Sequence, residues 1–367
     1  MIDYFNSIKG QNRVIKQITN LFESKRVPHA LLFYGEDGTG KFFTAVQFLK
    51  LLNDAGGNPH LEKKINSLSE PTLKYIFPLP RGKGEGNEDS GTDKLNEKQI
   101  QSLQEELTKK RANPYHKIAL EGANNIKVSS IREIRKFLSL DYSDIKYRMI
   151  LIEDAHKMNT ESQNALLKSL EEPPEGVIMV LTTPYIERLL PTIQSRCWRI
   201  NFNHLDNATV RNILIEHFGI PEEDAEVASL FSGGSVTRAV NLLNRDLKEL
   251  MNSTVQILRF SLGNWLNSAI LESQKVIDTY DKETYKEMIN LILTWLNDVI
   301  KEKIDLKNYY FKDFEDTLTK FNKNFPNCDV EQVYNEIDRL LQSIDNNVLL
   351  NVISLNLILQ LNSISNR

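Results

Sequence analysis

The residues whose types and spacing could do chemistry stand first in the run Gly35-Glu36-Asp37-Gly38-Thr39-Gly40-Lys41-Phe42. Gly35, Gly38 and Gly40 would let successive backbone N–H groups turn toward a phosphate, and a helix N-terminus behind them favours an anion. Lys41 would reach the outer phosphates of a nucleotide. Seven of the eight positions of a phosphate-binding P-loop are met; the eighth, where a Ser or Thr hydroxyl should ligand Mg²⁺, is Phe42. Glu153-Asp154, at the end of an apolar run, is the second group able to act on a phosphate or a water.

These groups need a parallel sheet to bring them together. Leu31–Tyr34 reads as a buried strand feeding the loop, and Phe42, Phe43, Val46, Phe48 and Leu49 as a helix apolar on more than one side. Lys117–Leu120, Arg148–Asp154, Gly176–Thr183 and Trp198–Phe202 read as further strands, separated by helices at Val128–Leu138 and around Asn164–Leu170. Strands alternating with helices imply an α/β domain with helices on both faces, and ligands then bind at the carboxyl ends of the strands. Both the loop and the Glu153-Asp154 pair fall there. From 53 to 113 the pattern weakens, and Arg81–Gly91 reads as a flexible loop followed by a charged helix, Lys94–Lys110. Beyond Asn203 only helical periodicity remains. The reading is a P-loop domain at 1–203 with a flexible insertion at about 76–112, a small helical module at 204–247, and an all-α domain at 248–367.

At 367 residues the chain suits two or three domains, and 41% hydrophobic with 26% charged residues describes a water-soluble protein. A net charge of −4 gives no global argument for nucleic acid. Cys197 and Cys328 are the only cysteines, so neither a disulfide framework nor a zinc cluster is expected. No signal peptide or membrane-spanning stretch is visible, which reads as cytoplasmic.

Several segments in order resemble the AAA+ clamp-loader family, and within it the delta-prime type of subunit of bacterial DNA polymerase III. They are Gly10-Gln11, Pro28-His29-Ala30, the P-loop, Glu153-Asp154, Asn164–Lys168 with Leu170-Glu171-Glu172-Pro173-Pro174, and Ser195-Arg196-Cys197. The last two carry most of the resemblance. It implies a RecA-like AAA+ domain, a helical lid and a C-terminal collar that joins a five-membered ring with gamma/tau-type and delta-type subunits. Such a ring loads a sliding clamp on primed DNA. Arg196 would be an arginine finger reaching ATP held by a neighbour, with Ser195 and Cys197 as structural parts of its motif. A planar, permanently charged donor suits that task. The alternative for Arg196 is a salt bridge at the sheet edge.

Against the same family, three departures speak against hydrolysis by this chain. Phe42 lacks the metal-binding hydroxyl, and Thr44 lies too far along the helix to replace it. The acidic pair is reversed, leaving Asp154 one methylene short, about 1.5 Å, where misplacements near 1 Å can cost ~10²-fold. Thr237 stands where an active lid carries an arginine, and Arg238 would project about 100° further round the helix. Thr183 retains a sensor-like position. The expectation is a non-hydrolysing subunit that requires no cofactor and no zinc; the intact glycines, Thr39 and Lys41 leave weak ATP or ADP binding open. The alternatives are an active gamma/tau-type ATPase, disfavoured by Phe42, Thr237 and a chain ending in the collar, and an unrelated P-loop enzyme, which leaves Ser195-Arg196-Cys197 unexplained.

Overall fold

The computed structural model describes residues 4–84, 86, 90–139, 145–171, 173–244, 247–279, 282–344 and 348–365. Five apolar runs, β1 (Ala30–Tyr34), β2 (Leu73–Ile76), β3 (Arg148–Ile152), β4 (Val177–Thr183) and β5 (Trp198–Asn201), form one parallel sheet in the order β2-β3-β4-β1-β5. β3 and β4 are buried along their whole length, as strands covered on both faces must be. Leu32 lies opposite Leu181, and the β1–β4 ladder runs on into the loop, where Gly35 N–H donates to Thr183 O at 3.2 Å.

The chain divides into two compact units, Met1–Arg238 and Ala239–Arg367. The helices of the first are α1 (Asn12–Glu23), α2 (Lys41–Leu52), α3 (Pro59–Asn66), α4 (Glu97–Ala112), α5 (Val128–Ser139), α6 (Thr160–Glu171), α7 (Pro191–Gln194), α8 (Asn207–Phe218) and α9 (Glu222–Phe231). α10 (Val236–Leu243) begins in it. Every residue of α2 is buried, which accounts for its apolar character on all sides. α5 and α6 pack beside one another, with Ile131, Ile134, Leu166 and Leu170 in a core shared with β3 and β4.

The second unit is helical: α11 (Leu247–Leu262), α12 (Leu266–Thr279), α13 (Lys282–Lys303), α14 (Glu315–Asn324), α15 (Val330–Ile344) and α16 (Leu350–Ser365). The long α13 buries Ile292, Trp295, Leu296 and Val299, packing against α11, α14 and α15. Tyr285 is fully buried, and the Ser273 hydroxyl lies 2.9 Å from its hydroxyl and 2.7 Å from that of Ser354. Among the described residues no helix is long and apolar enough to cross a membrane.

One expectation is corrected. Lys117–Leu120 is not a strand. The Ala119 N–H donates to Glu106 Oε2 at 3.0 Å instead of to a ladder, and Lys117 is drawn inward by two carboxylates. The strand beside β3 is β2, which sequence reading passed over. The charged helix read at Lys94–Lys110 is α4, which starts with an Asn96–Gln99 capping box. At the end of the loop before it, Gly91 N–H donates to Glu133 Oε1 at 2.8 Å and Lys127 Nζ to Gly91 O at 2.9 Å. Glu85 and Asn87–Asp89 of that loop, and Glu172 of the double-proline turn, lie outside the described residues.

Candidate functional site

The P-loop leaves β1 and enters α2 as its glycine spacing predicts, with Gly40 left-handed at the helix N-cap. Two glycines are required by close approach. A Cβ at Gly35 would lie 2.1 Å from Phe202 O, and one at Gly38 would lie 2.3 Å from Thr237 N. Thr39 Oγ1 donates to Glu36 O at 2.8 Å, and Gln11 Nε2 donates to Thr39 O at 3.2 Å and to Asn203 O at 2.8 Å. The loop is thus braced from Gly10-Gln11 on one side and from the start of α10 on the other. Thr44 Oγ1 donates back to Gly40 O at 2.9 Å, so it does not stand in for the hydroxyl that Phe42 lacks.

Lys41 is buried and turned onto its own loop, donating to Gly35 O and Glu36 O at 2.6 Å each. Burial lowers its pKa to about 8, with Asp37 acting in the opposite sense. The remaining space is taken by two lysines that sequence reading did not single out. Lys117 Nζ lies 3.0 Å from Asp37 Oδ2 and 2.6 Å from Asp154 Oδ1. Burial opposes the charge on Lys117, but the carboxylates of Asp37 and Asp154 outweigh it and raise its pKa. Asp154 is itself buried and left-handed, φ 57°, with Lys157 Nζ at 3.3 Å as a second partner. Burial pushes its carboxyl upward, yet Lys117 and Lys157 win and hold it at about 2.

Lys110, from the last turn of α4, fills the other side. Its ammonium lies 3.2 Å from Glu153 Oε1, donates to His116 O at 2.7 Å and stands 3.9 Å above the centre of the Phe42 ring. Tyr75 of β2 donates its hydroxyl to Glu153 and packs against Phe42 with ring centres 5.2 Å apart. Burial, then Glu153, raise the Tyr75 pKa well above its ordinary value. Thr237 and Thr182 close the rim, and the cavity that remains is about 30 Å³. That is the space of about one water. A nucleotide with its metal does not fit this arrangement: the place of the metal-binding hydroxyl is a buried ring, and the acidic pair is already paired to protein cations.

The other expected site residues divide. Glu153 and Asp154 do meet the P-loop. Thr183 does not line the cavity. Its hydroxyl lies 3.2 Å from His156 Nδ1 and accepts from Tyr185 N–H at 3.0 Å, beside an imidazole that burial holds at about 4. Ser235 Oγ donates to Asp37 O at 2.7 Å, fastening the entry of α10 to the loop. Thr237, not Arg238, reaches the cavity.

Arg196 lies elsewhere, two residues past α7 and exposed. Its Nη2 is 2.7 Å from Glu171 Oε1, and its Nη1 donates to Thr192 O at 3.0 Å. The surface salt bridge weighed for Arg196 is therefore present in the isolated chain. Ser195 Oγ donates to Thr192 O at 3.2 Å. Cys197 is buried in the apolar core, which pushes its thiol up to about 12 and favours the protonated form. Among the missed residues, Lys110 and Lys117 sit in stretches whose lysines look like any solvated face.

A parallel sheet in this order, a strand–loop–helix P-loop and an acidic strand end beside it define a RecA-like AAA+ domain, and the helical second unit completes the architecture. The family described as DNA polymerase III, delta subunit, matches residues 10–206, and the chain belongs to it, within the AAA+ clamp-loader proteins. DNA polymerase III subunit tau of Bacillus subtilis is 24% identical over 320 residues, covering 84% of this chain and 49% of that protein. Subunit gamma of Buchnera aphidicola subsp. Schizaphis graminum is 29% identical over 245 residues, covering 65% and 57%. Subunit delta' of Bacillus subtilis is 28% identical over 255 residues, covering 68% and 63%. The chain therefore spans about half to two thirds of the length of these relatives.

Proposed function

We propose that this chain is a delta-prime-type subunit of a DNA polymerase III clamp loader, which does not hydrolyse ATP itself and lends Arg196 to an ATP site on a neighbouring subunit. The observation that carries the reading is the filled P-loop pocket. For a phosphate to enter, Lys117 would have to leave Asp37 and Asp154, exposing the incoming anion to two carboxylates. Asp37 belongs to the loop itself, so the repulsion comes from where the backbone N–H groups should attract. Phe42 and Lys110 would have to move as well. The partners are gamma/tau-type and delta-type subunits in a five-membered ring, with the sliding clamp and primed DNA met by the assembly. No zinc and no bound nucleotide are needed for this role.

The names of the tau and gamma relatives favour a second reading, an active ATPase of the same family. The two separate in one experiment. Purified chain, alone and with clamp and primed DNA, is assayed for ATP turnover, and the ring is then reconstituted with Arg196→Ala. The proposal expects background turnover from the chain and, in the ring, intact assembly with slower hydrolysis at one neighbouring site. Loss of an arginine finger costs about 10³–10⁵ at the site it serves. Turnover by the isolated chain that disappears in Lys41→Ala would establish the second reading instead.

A further inference from the structure

We infer that Glu171 is a positioning residue for Arg196, holding the guanidinium in a presented conformation before a neighbour's phosphate takes it; this rests on the role proposed for Arg196. The hold has two points. Thr192 O accepts from Nη1 at 3.0 Å and Glu171 Oε1 from Nη2 at 2.7 Å. One acceptor is a backbone carbonyl and the other a side-chain carboxylate, each on a residue of a helix. Thr192 lies in α7, and Arg196 N–H donates to Ile193 O at 3.1 Å, so the root of the side chain is fixed. Glu171 is the last residue of α6, next to the buried Leu170 whose carbonyl lies 3.1 Å from His29 Nε2.

A guanidinium carries five N–H donors, and this clasp uses two of them. Three remain for a phosphate. Without the clasp, a long arginine on a surface samples many rotamers, and reaching the reactive one is an entropic cost at each turnover. The strength of the clasp also fits the task. Arg196 is 37% and Glu171 49% exposed, so the pair is screened by solvent and weak. A single carboxylate in that setting orients the arginine yet yields to a phosphate, which carries more charge and accepts in the same fork geometry. A buried carboxylate would have withheld it.

The test uses the reconstituted ring with clamp, primed DNA and Mg-ATP. Glu171→Gln keeps the size and an acceptor oxygen but removes the charge. The expected result is a roughly two- to five-fold fall in the part of kcat that Arg196→Ala removes, the range an exposed ion pair sustains, with KM for ATP unchanged. In Arg196→Ala rings, adding Glu171→Gln is expected to change nothing further, because a residue acting through Arg196 has nothing left to position. An unchanged kcat for Glu171→Gln, a raised one, or a double variant slower than Arg196→Ala by the full single-variant factor would each overturn the inference. Unchanged turnover in Arg196→Ala alone would instead overturn the role proposed for the arginine.

Discussion

Lys117→Met removes the cation that Asp37 and Asp154 share while keeping an aliphatic stem to fill its path. The Asp154 carboxyl is held at about 2 in the fold, against ~3.9 in an unfolded chain. At 1.36 kcal/mol per unit, that difference corresponds to roughly 2.5 kcal/mol of stability at neutral pH. Lys157 stays at 3.3 Å and offsets part of the loss, whereas the bare carboxylate left in a buried position adds to it. The expected net cost is about 2–3 kcal/mol, or a melting temperature lower by roughly 5–10 °C. Because the folded value is depressed, the contribution is complete above the unfolded value near ~3.9 and disappears as pH falls through about 2. The gap between wild type and variant should therefore be flat from about pH 5 to 8 and shrink toward pH 3. Lys117→Met combined with Asp154→Asn should recover more than half of the loss, since removing both partners of a buried pair is far milder than removing one. Urea and thermal unfolding followed by circular dichroism measure all of this. A single variant within ~0.5 kcal/mol of wild type at pH 7, or a gap that widens in acid, would refute the account of Lys117 as the counter-charge of the pocket.

Phe42→Thr restores the missing hydroxyl, yet ATP turnover should stay at background, because Lys110, Lys117 and Asp37 still occupy the pocket; the same change should cost about 3 kcal/mol through loss of a buried ring against Tyr75. Turnover appearing in that variant alone would show that the lysines yield to nucleotide. Gly38→Ala should lower stability by about 1–3 kcal/mol, since its φ of +71° and the 2.3 Å approach of Thr237 N leave no place for a Cβ. Wild-type stability in an unfolding titration would mean that α10 does not seat on the loop.

What was legible from sequence followed from patterns that one residue cannot blur. β1, β3 and β4 announce themselves because strands buried on both faces are continuous apolar runs, and the P-loop because its glycines answer to local backbone needs. β2 is harder. It has four residues, of which Lys74 and Tyr75 are polar-ended, and both are spoken for by distant partners: Lys74 by Glu133 at 2.7 Å, Tyr75 by Glu153. Lys117–Leu120 erred the other way, with strand-like composition but an N–H and an ammonium engaged by Glu106, Asp37 and Asp154. The inward placement of Lys110 and Lys117 depends on carboxylates 37 to 80 residues away in the chain, and no local period encodes that. Asp37 was visible inside the loop, but its partner was not.

The presence of P-loop residues in a pocket filled by the protein's own side chains has a physical explanation within this chain. Gly35 is needed because Phe202 O approaches it, and Gly38 because the backbone of α10 does. Lys41 donates to the carbonyls of Gly35 and Glu36, and an uncharged residue there would take that partner from Gly35 O, while Thr39 would still serve Glu36 O. None of these demands involves a phosphate. Phe42 shows the converse: with Tyr75 and Lys110 packed on that position, an aromatic ring makes contacts that a hydroxyl would not. A P-loop signature therefore reports the strand-to-helix turn first and nucleotide chemistry second. Whether the chemistry is present is decided by the residue after the lysine and by what side chains reach the acidic pair from outside the motif.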